Sequence, residues 1–234
     1  MPLIFKEEKS EKRKIGPAFI ADSDIAKIIG DVLSIDKLML LGSGQISFPK
    51  SEWIKSIPTI RANDRTLNFL PYRENRIVGI VSSLLSYKKI IKLIKKNCYC
   101  DPLYLFVNHH NSSFSYKKEV LIENKEIIIY HFGSKKRKNV SYIGEWIVNQ
   151  NFKHRFSTGF WMIYWLLNGK QKETYIAGFD AMKNSKKRLY IGGFSQKIKP
   201  DGSSPHHNFI LEWEIWEKAI KIARKRGMKV YLSK

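Results

Sequence analysis

Two cysteines are all that the chain has in 234 residues. They stand as Cys98-x-Cys100, a spacing poor for a disulfide and half a metal site at most. A disulfide-stapled scaffold is thereby excluded, and a reducing compartment is expected. No His, Cys and Asp residues fall at zinc-site spacing. No apolar run reaches the roughly 18 residues of a membrane-spanning helix. The opening "MPLIFKEEKSEKRK" lacks the apolar core of a signal peptide. The reading is a cytoplasmic protein, free to touch the inner face of an anionic membrane. Internal repeats are absent, and so are helix-turn-helix, RRM and zinc-finger patterns. Acidic residues are scarce: 21 Asp+Glu against 42 Lys+Arg leave a net charge of +21. Such a field attracts anions, whether nucleic acid, an acidic membrane or a phosphorylated ligand. The excess is spread over "EKRK", "YKKIIKLIKK", "SKKRK", "NSKKR" and "ARKRG", as on solvated faces.

What is present is a core. Hydrophobic residues make up 43% of the chain, enough for one sizeable domain. Short apolar runs that read as buried strands lie at 37–44, 57–64, 76–83, 102–108, 172–180 and 228–233. Helical spacing marks 84–96, with a lysine-rich outer face, and 208–227, with Gly227 as C-cap. "STGFWMIYWLLN", 157–168, reads as a buried helix capped by Ser157 or Thr158. Residues 1–37 read as a partly ordered N-terminal segment, and 109–140 as a less regular flank of a single domain over 38–234. Alternating strands and helices give an α/β, Rossmann-like fold with a mostly parallel central sheet.

In such sheets ligands bind at the carboxyl ends of the strands. Polar clusters fall there: Gly42-Ser43-Gly44, Asn63-Asp64, Asn108-His109-His110 and Gly178-Phe179-Asp180. Arg155-Phe156-Ser157-Thr158-Gly159 adds a helix start, whose free N–H groups favour an anion. Together they read as a nucleotide-phosphate site. His109 and His110 read as loop residues, and Trp213 and Trp216 as helix core.

The order of these clusters resembles the sialyltransferases. "LGSGQIS … IRAND" resembles the family's first motif. "RFSTGFWMIYWLL … ETYIAGFD" resembles the second, and His207-x4-Glu212 in "HNFILE" resembles its short His-x4-Glu/Asp motif. The resemblance implies a GT-A-like fold variant and inverting transfer from a CMP-sugar donor to a glycan or glycolipid acceptor. It implies no essential metal, no other cofactor and no specific nucleic acid partner. By the match, Gly42, Ser43, Gly44 and Asn63 line the donor's phosphate and nucleoside. Thr158 and Gly159 hold cytidine or the sugar carboxylate, Arg155 sits near substrate, and His207 takes the catalytic-base position, with its neighbour His206 as the alternative base. Asn108, Ser157, Gly178 and Asp180 complete the expected donor site.

The chemistry asks for the same residue types. A base must take the acceptor hydroxyl's proton, and histidine titrates near 6.5. The leaving CMP gains negative charge that preset donors must meet. Glu212 is suited to orienting a neighbour or holding the helix start. Departures stand beside the match. Where bacterial relatives carry two tyrosines after Gly-x-Asp, Ala181 and Met182 follow here, and the nearest tyrosine is Tyr190. Lys183, Lys186, Lys187 and Arg188 are the candidate substitutes. Three alternatives remain at this stage: a CMP-Kdo-using transferase of envelope polysaccharide synthesis, a basic nucleic-acid-binding protein, and a non-catalytic membrane-surface protein of an envelope pathway.

Overall fold

A computed structural model describes residues 18–19, 22–42, 52–63, 67, 75–94, 99–109, 115–122, 125–133, 157–179, 187–189, 195–197 and 209–233. In chain order the elements begin with β1 (Ala18–Phe19), α1 (Asp22–Val32), β2 (Lys37–Leu41), α2 (Glu52–Lys55) and β3 (Thr59–Ala62). There follow β4 (Ile77–Ser83), α3 (Leu84–Ile94), β5 (Tyr99–His109), β6 (Ser115–Ile122) and β7 (Lys125–Gly133). A 3-10 turn (Gly159–Met162) runs into α4 (Ile163–Asn168) and then β8 (Glu173–Ala177). A small ribbon of β9 (Lys187–Leu189) and β10 (Ser195–Lys197) precedes α5 (Phe209–Lys225) and β11 (Lys229–Leu232).

Nine strands form one sheet in the order β1-β6-β7-β5-β4-β3-β2-β8-β11. Only β6 runs against the others in it: it pairs antiparallel with β1 and β7, while the remaining ladders are parallel. The fold is therefore α/β with a mostly parallel sheet. From β2 the chain winds outward through β3, β4 and β5 to β7. It then returns to the other side of β2 and lays down β8 and β11. Strand order reverses between β2 and β8, and a crevice opens at such a point above the carboxyl ends.

Parallel strands are covered on both faces, which is why they read as continuous apolar runs. On one face Leu38, Leu40, Ile60, Phe106 and Ile176 meet helices α1, α4 and α5, with Ile29, Trp165 and Trp216 among the buried contacts. On the other, Leu103, Leu105, Ile127 and Ile129 meet Ile90 and Ile94 of α3. An irregularity in the β3–β4 register between Ile77 and Gly79 shifts the phase, so Ile77 and Ile80 face α3 while Val78 and Val81 face α4 and α5.

Two stretches gain detail over the sequence reading. Within 1–37, read as a partly ordered N-terminal segment, helix α1 is the ordered part, and Ala26, Ile29 and Leu33 are core residues. The backbones of α1 and α4 approach so closely that a Cβ on Gly30 would stand 2.9 Å from Asn168 O. Within 109–140, read as a less regular flank, β6 and β7 form a regular hairpin on the main sheet. Its pairing pattern explains the difference: the middle of β7 is buried between β5 and β6, whereas β6 carries three consecutive charges, Lys117, Lys118 and Glu119, and no buried residue among those whose burial is described. Helix α5 and Gly227 fall where expected, Gly227 in the left-handed region at φ 91°. Ile222, an apolar residue of that helix, is exposed.

Candidate functional site

The switch point is built by glycines. Gly42 directly follows β2, and its N–H donates to Ala177 O at 2.7 Å. A Cβ on Gly42 would collide with the carbonyl oxygen of Gly178. Gly178 itself has φ 72°, a conformation that glycine adopts without strain. Phe179 then turns over the crevice. Its ring lies 5.0 Å from that of Trp216, and a Cβ on Gly159 would stand 2.8 Å from its Cε1. Three stretches distant in sequence thus meet: the ends of β2 and β8 pack backbone to backbone, and the start of the 3-10 turn packs against the Phe179 ring.

A fourth stretch is tied to them by one carboxylate. Glu212, buried on the first turn of α5, accepts from Ser157 N–H at 2.6 Å and from Ser157 Oγ–H at 2.5 Å. Ser157 Oγ in turn accepts from Phe160 N–H at 3.2 Å, so Ser157 caps the turn. Thr158 is buried in helical conformation and makes no side-chain cap bond. This corrects the expectation of an open helix start for an anion. The first turn is 3-10 rather than α, and the helix behind it spans only Ile163–Asn168. Its negative partner is already supplied by Glu212, because an N–H and a hydroxyl buried there require an acceptor.

Further along the same rim, Asn63 follows β3 with φ 61°. Its N–H donates to Val81 O at 2.8 Å, and its Oδ1 accepts from Ser83 N–H at 3.3 Å. Asparagine tolerates this left-handed conformation better than most side chains. Asn108, paired with Ser83 across β4 and β5, is fully buried, and neither its Oδ1 nor its Nδ2 has a hydrogen-bond partner among the described residues. A buried amide left unpaired is costly, and such groups concentrate at functional sites.

The described residues therefore bring together Gly42, Ser157, Gly159 and Gly178, with Thr158 beside them, and place Asn63 one strand and Asn108 three strands from β2 on the same edge. Ser43, Gly44, Arg155, Asp180 and His207 lie outside the described residues, as do His206, His110, Cys98, Lys183, Lys186 and Tyr190. Phe179 and Ser83 were not singled out from sequence. Their signals were available: an aromatic between Gly178 and Asp180, and a serine ending the buried strand "IVGIVSS".

A second cluster sits under α3 at the ends of β5 and β7. His109 Nε2 and His131 Nδ1 are 2.8 Å apart, so one of the two nitrogens carries the shared hydrogen. Tyr116 stacks on His131 at 4.2 Å, and Tyr87 of α3 meets it edge-on at 5.8 Å. Burial first, then the His109 and Lys118 charges, push His131 down to about 4, and burial lowers His109 as well. Both rings are uncharged at neutral pH. The unfolded chain, with histidine near 6.5, binds more protons than the folded one between these values, so stability falls as pH drops from about 6.5 toward 4. The unfolding midpoint should fall across that window, and His131→Gln should shallow the fall. Equal slopes in the two proteins would refute the assignment.

Among the described residues no three His, Cys, Asp or Glu side chains are grouped to hold a metal, and no helix is long and apolar enough to cross a membrane. In comparisons with known proteins, the chain matches no family model, no curated protein and no solved structure.

Proposed function

We propose that the protein is a glycosyltransferase of sialyltransferase type, with a GT-A-like variant of the Rossmann-like fold. It transfers a sugar, with inversion, from a CMP-sugar to a glycan or glycolipid acceptor. One observation carries the reading. The three segments that resemble the family's motifs meet at one place: Gly42 from the first, Ser157, Gly159 and Gly178 from the second, Glu212 from the third. That place is the switch point of a mostly parallel sheet, where nucleotides are held in unrelated enzymes of this architecture.

The division of labour follows from placement. Gly42 and Gly178 let backbone approach backbone, leaving main-chain groups at the crevice in place of side chains. Asn63, held by its bonds to β4, presents an amide on the rim for the nucleoside. Asn108 offers buried, unspent amide atoms that a polar ligand group would satisfy. Glu212 fixes the 3-10 turn against α5, and His207 comes two residues ahead of α5 in the sequence. His207 removes the acceptor proton. The departing CMP takes up charge that main-chain N–H groups, Arg155 and the lysines of 183–187 stabilise. No metal is required by this scheme.

Calorimetric titration with CMP, UDP and GDP tests it. CMP should bind, the other two should bind at least tenfold more weakly, and Asn63→Ala should weaken CMP. Preference for UDP or GDP, or no nucleotide binding, would overturn the reading. A donor screen read by mass spectrometry then separates sialic acid from Kdo and its relatives.

A further inference from the structure

Helix α3 starts without any loop after β4, so its first turn stands on the carboxyl rim of the sheet, beside Asn63 and Asn108. Two large apolar side chains are exposed there, Leu84 at 48% and Leu85 at 89%. Lys88, Lys89 and Lys92 are exposed behind them, and Ile90 and Ile94 are buried. At about 100° per residue, Leu84, Lys88, Lys92, Leu85 and Lys89 fall within one sector of roughly 140°. The buried Ile90 and Ile94 lie on the opposite side, with Tyr87 next to Ile94 around the helix and held against His131. The helix contains no acidic residue. The outward face is therefore a leucine tip with a lysine collar, anchored from behind on a rigid aromatic cluster.

From this geometry we infer that the α3 face docks on the surface of an anionic lipid bilayer, leucines into the interface and lysines on the headgroup phosphates. Lysines alone would suit any polyanion. The leucine pair decides among them, because a phosphodiester backbone offers it nothing apolar, whereas a bilayer places hydrocarbon a few ångströms below its charges. The chain's net charge of +21 adds long-range attraction of the same sign. Docked this way, the carboxyl rim faces the lipid. For the transferase reading, on which this last consequence alone rests, the acceptor is then a glycan carried by a lipid.

The test is co-sedimentation of the full chain with vesicles of phosphatidylcholine alone and with about a third of phosphatidylglycerol added. The protein should pellet only with the anionic vesicles. The exposed pair substituted as Leu84→Ser with Leu85→Ser should lower the partition coefficient about tenfold or more, with the unfolding midpoint and the CMP titration unchanged. Lys88→Glu with Lys89→Glu and Lys92→Glu should abolish pelleting. Three outcomes overturn the inference. The wild-type chain stays in solution; or both variants pellet like wild type; or the lysine variant loses a steeply salt-dependent DNA affinity while the leucine variant pellets normally. Because vesicle binding is read without a donor, its failure leaves the CMP titration standing, and the reverse also holds.

Discussion

His207→Ala is expected to lower kcat by roughly 10²–10⁴-fold, the usual size of a lost general base. CMP affinity should hardly move, because the base meets the acceptor and not the nucleotide. The argument begins at Glu212. Its carboxylate holds Ser157 through both N–H and Oγ, so the first turn of α5 is pinned to the start of the 3-10 turn. His207 stands two residues ahead of α5 in the sequence, on the segment that resembles the family's short His-x4-Glu motif. Histidine as a residue type suits a general base, its reference pKa lying near 6.5. Steady-state kinetics of His207→Ala and His206→Ala, each with a CMP titration, decide the matter. Loss with His206→Ala alone would move the base by one residue. Near-normal turnover in both would remove the proposed mechanism.

Strands were legible because burial on two faces favours apolar residues. "KLMLL" and "IVGIVSS" are mostly apolar, "TIRA" and "ETYIA" carry apolar residues beside the buried Thr59, Arg61 and Thr174, and each is a strand of the parallel sheet. The rim residues were legible for the complementary reason. Gly42, Asn63, Asn108 and Gly178 are the first residues at each strand end to break the apolar run. Helix α1 was hidden by its surroundings, not by its pattern. Ala26, Ile29 and Leu33 repeat at helical spacing, and Asp22-Ser23-Asp24 are good helix-start residues ahead of them, but the charged stretch further upstream drew all of 1–37 into one segment. The β6–β7 hairpin was hidden because "SYKKEVLI" carries three consecutive charges, Lys117 to Glu119, and was read together with the basic stretch beyond β7.

What the sequence could not show is how its motifs share partners. Ser157 next to Thr158 offers two equal caps on paper. Only the arrival of Glu212, 55 residues later, makes Ser157 the cap and turns an expected anion site into an internal contact. His131 likewise carried no signal until β7 was laid beside β5, which put its Nδ1 against His109.

The largest stability effect should come from a residue that no functional reading would select. Arg61 is fully buried in β3. Its Nε donates to Thr59 Oγ1 at 3.0 Å, its Nη1 to Leu67 O at 3.2 Å and its Nη2 to Asn75 O at 3.4 Å. Asn75 continues the network, its Nδ2 donating to Ile54 O and Ile57 O, each at 2.7 Å. Burial pulls the guanidinium down to about 10, still well above neutrality, so it stays charged. This network joins the chain after α2, residue 67 and the entry to β4 around β3, two residues ahead of Asn63. Arg61→Ala would leave buried carbonyls without their donor and a cavity the length of the side chain, a loss of about 3–5 kcal/mol. For a domain of this size that is a fall in the unfolding midpoint of about 10 °C. Arg61→Lys supplies one charge but not the planar fork, and should recover only part of the loss. Differential scanning calorimetry of both variants checks the order. CMP affinity should fall with stability in Arg61→Ala, because the strand that presents Asn63 loses its brace. If Arg61→Ala melts within about 2 °C of wild type, the network is not what holds the β3 rim in place.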